Sequence, residues 1–507
     1  MRKKDSIKTL IHSLTMNEKR YFKMYNSFYE KDSSYSKLFD LIDKNKDEIE
    51  QLKITHIRVT KNRLQQRLLK SLRSFNSGKT PQLLLRELLD YIELLQQKNL
   101  YYQALTVISK AKSIAIKYEQ FNSLIELLTA EQRIYITLKD LKVLETVFEK
   151  NCKAIVHYTN VFENLTRFAV LEGKLGVLIL TVGRAQNIKS KKLYVDLFSN
   201  KLFSHESNAL SKRAKIIFNY ISGIYYLNCE GDYRKSLEYF LKIKTILDSD
   251  KNLYQLFSLR YILTIGNILS TIVYIPEVSF ERAIKYLNFY KAIPPQTVMN
   301  QDEIEVRYYC TLTEIYLQYG KYKDIEQHIP DILKWLNNVK ETDKIKFKLY
   351  QLYFNMASIL FILEKYNKAL TLFAKITNDQ NLISKNIVCY SKLFSLLIYY
   401  ETNCYDLINN MANSTIRLLK KLGGLNEMEK TLIRFLQKSA TESNSNETKK
   451  KDFTLLKKEL QSIINNNPIE AKSLEYIDFI SWIDSKLQNQ SLSSFLTAKV
   501  EKKRNLL

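Results

Sequence analysis

The chain has 507 residues, of which 78 are lysine or arginine and 53 are aspartate or glutamate, giving a net charge of +25. It contains only 10 glycines and 6 prolines, against roughly 35 and 25 at average usage. Sandwiches, barrels and doubly wound sheets need such residues at their turns, so this composition excludes them and predicts an all-α protein. With 45% apolar residues the chain can bury a large core, which excludes a disordered protein.

The first 80 residues contain three apolar stripes at helical spacing, which predict a small helical block. The stripes consist of Leu10, Ile11, Leu14, Phe22 and Tyr25, then Tyr35, Leu38, Phe39 and Ile42, then Ile57, Leu64, Leu68, Leu72 and Phe75. Three stretches in this block, LTMNEKRYFK (14–23), KLFDLID (37–43) and VTKNRLQQRLLKSLRSF (59–75), resemble a family of uncharacterised repeat proteins of Bacteroidota-type bacteria. That resemblance implies no activity. A turn-rich break at 76–81 separates the block from the remainder of the chain.

The N-terminal block is strongly basic, with 19 basic and 9 acidic side chains in residues 1–80. Four basic residues in the third stripe are three or four positions apart, so on a helix they share one face. Such a face predicts contact with an anionic partner, nucleic-acid phosphates included. The alternative is an ordinary solvated surface opposite the buried leucines. The four residues are Arg63, Arg67, Lys70 and Arg73.

From residue 82 onward one pattern recurs. An aromatic residue is followed three positions later by a small or aliphatic residue, and then by apolar residues four and seven positions further on. The clearest copies start at Tyr101, Tyr233, Phe280, Tyr322 and Tyr366. No single helix pair of this kind can bury its apolar face alone, so the copies predict stacked helix pairs.

This pattern resembles the tetratricopeptide repeat, a helix-turn-helix unit of about 34 residues. The copy around Gly320 also has Tyr309, Leu312, Thr313 and Tyr316 at the first-helix positions of that family, whereas the Gly231 copy has Ile224 where the family has a small residue. The resemblance covers about residues 82–465 and implies an α-solenoid. Successive copies are 39–53 residues apart, which implies longer helices or loops. An irregular helical bundle is the alternative.

In tetratricopeptide repeats the concave surface is formed by the first helices, and some members bind a peptide's terminal carboxylate there with Lys and Asn. The corresponding positions of this sequence lack that pair. The resemblance therefore implies a groove for an apolar or helical segment of a partner protein. Alternatively, additional parts of the chain fill the groove. The predicted groove residues are Tyr225, Ile272, Glu314 and Phe354.

The C-terminal part, residues 468–507, is predicted to form a capping helix over 468–487, opened by a proline in its first turn. The final stretch KVEKKRNLL is charged and is expected to fray. The predicted organisation is thus a basic block (1–80), helical repeats (82–465) and a C-terminal cap.

The sequence contains no motif of a catalytic, cofactor or metal site. No two histidines are four residues apart, no CxxC occurs, and the glycines are too dispersed for a nucleotide-binding loop. Scattered cysteines predict a cytoplasmic protein, and the longest uncharged runs, of 16 and 15 residues, are too short for a membrane span of about 20. We therefore expect a non-catalytic protein-binding scaffold without a cofactor. A nucleic-acid-associated regulator that uses residues 53–73 is the alternative hypothesis.

Overall fold

The computed structural model describes residues 6–28, 34–44, 57–139, 141–185, 187–292, 301–342, 345–378, 385–422, 426–441 and 446–505. Within these ranges the chain forms helices and no strand, which confirms the all-α prediction. It divides into two compact units, Met1–Phe162 and Glu163–Leu507. The boundary falls inside one long helix.

The first unit contains two separate cores. Helices α1 to α4 surround one core of nine buried residues, which include Ile11, Phe22 and Leu64. Helices α5 to α7, with the start of α8, surround the second core, in which Ala104 is fully buried. The helices are α1 (Ser6–Ser13), α2 (Met16–Ser27), α3 (Ser34–Asp43), α4 (Ile57–Phe75), α5 (Pro81–Gln97), α6 (Tyr101–Lys117), α7 (Phe121–Leu138) and α8 (Leu141–Thr181).

The second unit begins with the C-terminal half of α8 and continues through sixteen further α-helices in the described residues. They are α9 (Ile188–Phe198), α10 (Lys212–Tyr225), α11 (Tyr233–Ser249), α12 (Lys251–Leu256), α13 (Ser258–Ile272), α14 (Phe280–Ala292), α15 (Gln301–Gln318), α16 (Ile329–Asn338), α17 (Lys346–Ile362), α18 (Tyr366–Thr377), α19 (Lys385–Glu401), α20 (Tyr405–Leu422), α21 (Glu427–Thr441), α22 (Asn446–Asn466), α23 (Phe479–Leu487) and α24 (Leu492–Asn505). Short 3-10 helices span Lys201–Phe203, Glu206–Asn208, Asp324–His328 and Pro468–Glu475, and one π-helical turn spans Tyr226–Glu230.

Consecutive helices of the second unit pack in pairs, and α13, α15, α17, α19 and α21 also contact one another in that order. The small residue of the recurring pattern is fully buried in three of these pairs, as Ser236, Ala283 and Ala369. A small side chain at this position lets the second helix lie close to its neighbours, so the pattern marks helix crossings.

Helices α10 and α11 cross at Gly223, whereas the sequence pattern placed the small residue of this copy one position later, at Ile224. A methyl group added at Gly223 would lie 2.6 Å from Cε1 of Phe240, and Ser236 Oγ donates to the Gly223 carbonyl at 2.9 Å. Gly223, and not Ile224, is therefore the small residue of this copy. The π-helical turn Tyr226–Glu230 inserts one extra residue, which shifts any register counted back from Gly231.

The last turn of α24 is anchored to the segment after α13. The Arg504 guanidinium donates to the carbonyl oxygens of Val273 at 2.8 Å, Val278 at 3.0 Å and Pro276 at 3.3 Å. It also lies 3.6 Å from the ring centre of Tyr319. The expected fraying is therefore wrong for 499–505, because Arg504 satisfies carbonyls that the end of α13 leaves open. Residues 506–507 lie outside the described residues.

The predicted capping helix over 468–487 is divided into two parts. A 3-10 helix covers Pro468–Glu475, and α23 covers Phe479–Leu487. The next helix, α24, packs along the turn after α15, where Thr497 Oγ1 donates to the Gly320 carbonyl at 2.7 Å.

Candidate functional site

Two of the four predicted basic residues on α4 have partners inside the first unit. Arg67 Nη1 donates to Asn26 Oδ1 at 3.0 Å, and its guanidinium lies 4.3 Å from the ring centre of Tyr35. Arg73 forms an ion pair with Asp90 on α5. These two arginines therefore make contacts that hold α4 against its neighbours.

The other two predicted residues, Arg63 and Lys70, are exposed. No hydrogen bond or ion pair joins either of them to another described residue. They are seven positions apart, which places them about 20° apart around the helix. Arg58 is exposed as well, and α4 contains no acidic residue. Of the four residues predicted to form the anionic-partner face, Arg63 and Lys70 are therefore available to bind an anion, together with Arg58 on the same helix.

Two of the predicted groove residues lie at the ends of their helices. Tyr225 is partly exposed, its ring stacks on Phe198 with centroids 4.0 Å apart, and its hydroxyl donates to Glu230 Oε1 at 2.8 Å. Ile272 is only 4% exposed. Of this pair, only Tyr225 offers surface to a partner.

The other two predicted groove residues contact side chains of the chain itself. Phe354 is 7% exposed and its ring centroid lies 6.1 Å from that of Tyr476. Glu314 Oε1 accepts a hydrogen bond from Tyr274 at 3.0 Å. Binding at the four positions stays a prediction, and the structure shows that Ile272 and Phe354 have little accessible surface for it.

A polar network surrounds Arg184, in the loop after α8. Its Nη1 lies 2.7 Å from Glu475 Oε2, and its guanidinium lies 4.6 Å from the ring centre of Tyr274. Tyr233 stacks on the Tyr274 ring with centroids 4.6 Å apart, and Tyr274 in turn donates to Glu314. Arg184 therefore contacts the 3-10 helix before α23 directly, and through the Tyr274 side chain it is connected to α11 and α15.

The same loop is tied by its backbone to helices far apart in the sequence. Asn386 Nδ2, on α19, donates to the carbonyl of Val182 at 3.0 Å and to that of Arg184 at 3.3 Å. The amide of Ala185 donates to the Asn228 carbonyl at 2.8 Å. This loop therefore connects the π-helical turn after α10 with the first turn of α19.

The side chains around Arg184 stabilise the positive charge of its guanidinium. Burial alone would lower the pKa of Arg184, but Tyr274, Tyr233, Glu475 and Glu314 outweigh it, so the pKa of the guanidinium is raised well above its ordinary value. Burial raises the pKa of Tyr274 despite the neighbouring arginine, which keeps this hydroxyl a donor. The sequence analysis missed the network because its members lie up to 291 positions apart.

Two carboxylates meet at the N-terminus of α21. Glu470 accepts hydrogen bonds from the amides of Met428 at 3.1 Å and Glu427 at 3.3 Å. Glu429, which is 3% exposed, accepts from the Asn426 amide at 3.1 Å. Burial raises the pKa of Glu429 from 4.5 to about 6, and the charge of Glu470 acts in the same direction.

We expect this raised pKa of Glu429 to make the protein less stable as the pH rises. Its contribution is fully present below the unfolded pKa of 4.5 and is lost as the pH rises through the folded pKa of about 6. The loss amounts to about 2 kcal/mol. Glu429→Gln should remove this part of the pH dependence when the free energy of unfolding in urea is measured between pH 4.5 and pH 7.5.

Glu427→Gln is the matched control, because Lys430 already lowers the pKa of that exposed carboxylate and the substitution should leave the slope between these pH values unchanged. A Glu429→Gln variant with the wild-type slope would contradict the assignment.

No group of three or more His, Cys, Asp and Glu side chains in the described part of the chain is arranged to hold a metal ion. Across the same residues, no helix has both the length and the apolar character needed to cross a membrane. No protein-family model matches the chain, and no curated protein matches it significantly.

Proposed function

We propose that the protein is a non-catalytic scaffold of tetratricopeptide-like helix pairs that binds a protein or peptide partner in the cytoplasm. The small residues buried at successive helix crossings, from Ala104 in the first unit to Ala369 in the second, support the repeat type. The five cysteines are free thiols, which fits a reducing compartment.

A second apolar face on α8 carries the binding part of this proposal. In the second unit this helix buries Phe168, Leu171 and Leu175 on one side. Val170 and Val177 lie on another side and are 54% and 60% exposed. A surface helix ordinarily has a single apolar stripe, directed at its own core. The additional row therefore favours contact with an apolar segment of a partner protein.

We expect Val170→Glu/Val177→Glu to abolish partner capture while leaving the helical content unchanged, because both side chains point away from the core. The measurement is site-specific photo-crosslinking of the full chain in an extract of its source cells. A crosslinker at position 174, which is exposed and lies about one turn from each valine, should give a discrete adduct that survives high salt, and the adduct should disappear in the double variant.

The matched control carries the crosslinker at Ile188, which is 73% exposed in the same unit but lies on α9. Equal adducts at positions 174 and 188, or an adduct that persists in the double variant, would show that the α8 face is not the partner site.

A second candidate function is nucleic-acid association through α4. It rests on the exposed, unpaired Arg63 and Lys70 on a helix without acidic residues. Phosphate binding by these cations would release counterions, so the affinity would fall with salt at a logarithmic slope of about −2.

We expect Arg63→Glu/Lys70→Glu to weaken binding of a labelled duplex by at least about tenfold at low salt. Lys98→Glu/Lys110→Glu is the control, because it changes two exposed lysines of the same unit that lie outside α4. Fluorescence anisotropy across a salt series measures both. Binding that is absent, insensitive to salt or unchanged in the α4 variant would remove this candidate.

A further inference from the structure

The open side of α8 contains more than the two valines of the α8 face. Gly173 and Leu180 lie on the same side as Val170 and Val177, because steps of three and four residues keep all four within about 80° around the helix axis. Gly173 is exposed, and Leu180 is 39% exposed. This is the spacing at which the side chains of one helix pack along another helix. The row therefore favours a helix as the segment that covers it.

Two glycines on this part of α8 have no close neighbour outside their own helix. A glycine in a helix interior costs about 1 kcal/mol relative to alanine, and a close approach by another element can offset that cost. Gly223 has such a neighbour, since Phe240 fills the space beside it. At Gly173 and Gly176 an added methyl group would meet nothing within 4 Å. The described residues therefore leave room at both glycines for a second helix.

The two flanks of this row differ in charge. One flank contains Arg167 and Lys174, and the other contains Ala169 and Gly176. Arg167 forms an ion pair with Glu163, one turn earlier on the same helix. Lys174 is exposed, and no hydrogen bond or ion pair joins it to another described residue. The first flank therefore has an unpaired positive charge, which a carboxylate on the covering helix would complement.

A second copy of this chain fits the row poorly. In an antiparallel pair of helices equal flanks face each other, so Arg167 and Lys174 would meet the same two cations of the other copy. In a parallel pair they would meet the flank of Ala169 and Gly176, which has no negative charge. Neither orientation provides the carboxylate, which favours a different protein as the occupant.

We propose that this row on α8 binds an amphipathic helix of another protein, whose acidic residues face Arg167 and Lys174. This assignment rests on the proposed function, since it specifies the kind of partner that the α8 face binds. Large apolar side chains of the partner lie over Gly173, where the missing Cβ atom lets the two helices approach closely. Val170 and Val177 pack on either side of them.

Photo-crosslinkers placed one at a time at positions 167 and 181 of the full chain test the helical form of the partner. Both positions are exposed on the basic flank, and they are 14 positions apart, about 21 Å along the helix. In an extract of the source cells, a helical segment should be labelled at points about 14 residues apart, whereas an extended segment should be labelled about six residues apart. Mass spectrometry of the adducts measures this separation and identifies the labelled segment.

The expected result is a separation of about 14 residues in an apolar segment that also contains acidic residues. A separation of about six, a labelled segment without acidic residues, or a labelled second copy of this chain would overturn the assignment and leave the proposed function intact. An adduct at position 174 with none at positions 167 and 181 would do the same, because that partner does not lie along α8. Absence of a specific adduct at position 174 would instead remove the proposed function, and the assignment with it.

Gly173→Leu tests the close approach without changing a charge. The Tm should stay the same or rise, because leucine favours the helix and its side chain meets open space. The adduct at position 181 should nevertheless fall at least about tenfold. Thr371→Leu is the matched control, since it adds a leucine at an exposed position of α18 and should leave the adduct unchanged. An adduct that survives Gly173→Leu would overturn the assignment.

Lys174→Glu tests the acidic edge of the partner. It should weaken the adduct at position 181 more at low salt than at high salt, because it places like charges side by side. Lys192→Glu on α9 changes the net charge by the same amount at another exposed lysine of this unit, and it should have no such effect. Equal effects of the two reversals would show that the overall charge of the chain attracts the partner, which would overturn the assignment.

Discussion

Arg184→Met is expected to lower the free energy of unfolding of the second unit by about 3 kcal/mol. The substitution removes the ion pair with Glu475 and the contact with the Tyr274 ring. It leaves the Glu475 carboxylate without the cation that offsets its partial burial. Arg184→Lys should recover only part of the loss, because an ammonium cannot stack on the ring and donate in a planar fork.

Urea unfolding of the full chain, monitored by circular dichroism, measures this effect. A cycle of Arg184→Met, Glu475→Gln and the double variant isolates the coupling between the two side chains, expected at about 1–3 kcal/mol. Arg167→Met is the control, since its pair with Glu163 is an exposed pair on α8 and such pairs contribute less than about 1 kcal/mol. Equal effects of Arg184→Met and Arg167→Met would contradict the importance of the network.

Gly223→Ala should lower the stability of the second unit by about 2 kcal/mol or more. The added methyl group would overlap the Phe240 ring, whose nearest atom is 2.6 Å away, and that ring is fully buried. The gain in helix propensity, up to about 1 kcal/mol for Gly to Ala, does not offset this overlap.

Gly173→Ala provides the opposite case on α8, where nothing lies within 4 Å of the added methyl group. That variant should be neutral or more stable by about 0.5–1 kcal/mol. Thermal and urea unfolding of both variants test the difference. Phe240→Leu should partly rescue Gly223→Ala, because the smaller side chain leaves room for the methyl group. Equal stability of the two alanine variants would show that helices α10 and α11 can separate without cost.

The helical class and the crossings were predictable because both rest on local signals. Scarce glycine and proline exclude most sheets, and a small residue three positions after an aromatic one marks where helices meet, as at Ala283 and Ala369. The predicted position of the small residue in α10 was wrong by one residue, also for a local reason. One extra residue in the π-helical turn leaves no mark in the sequence pattern.

The candidate sites were less predictable because they depend on contacts between distant residues. Helical spacing placed Arg67 on a common face with Arg63, yet Arg67 turns to Asn26 and Tyr35, which precede it by 41 and 32 positions. Similarly, Phe354 was expected to line a groove, but Tyr476 packs against it. A periodicity identifies which side of a helix is apolar, and it cannot identify the segment that covers that side.

The anchoring of Arg504 has a consequence for the order in which the second unit assembles. Its hydrogen bonds join residues 226–231 positions apart in the sequence, and Asn386 reaches back 204 positions to Val182. During synthesis the carbonyls of Val273 and Pro276 therefore stay hydrated until residue 504 has left the ribosome. The helix pairs can form one by one as they emerge, but their closure against α24 is a late step, because it requires residue 504. Contacts over such separations fold slowly.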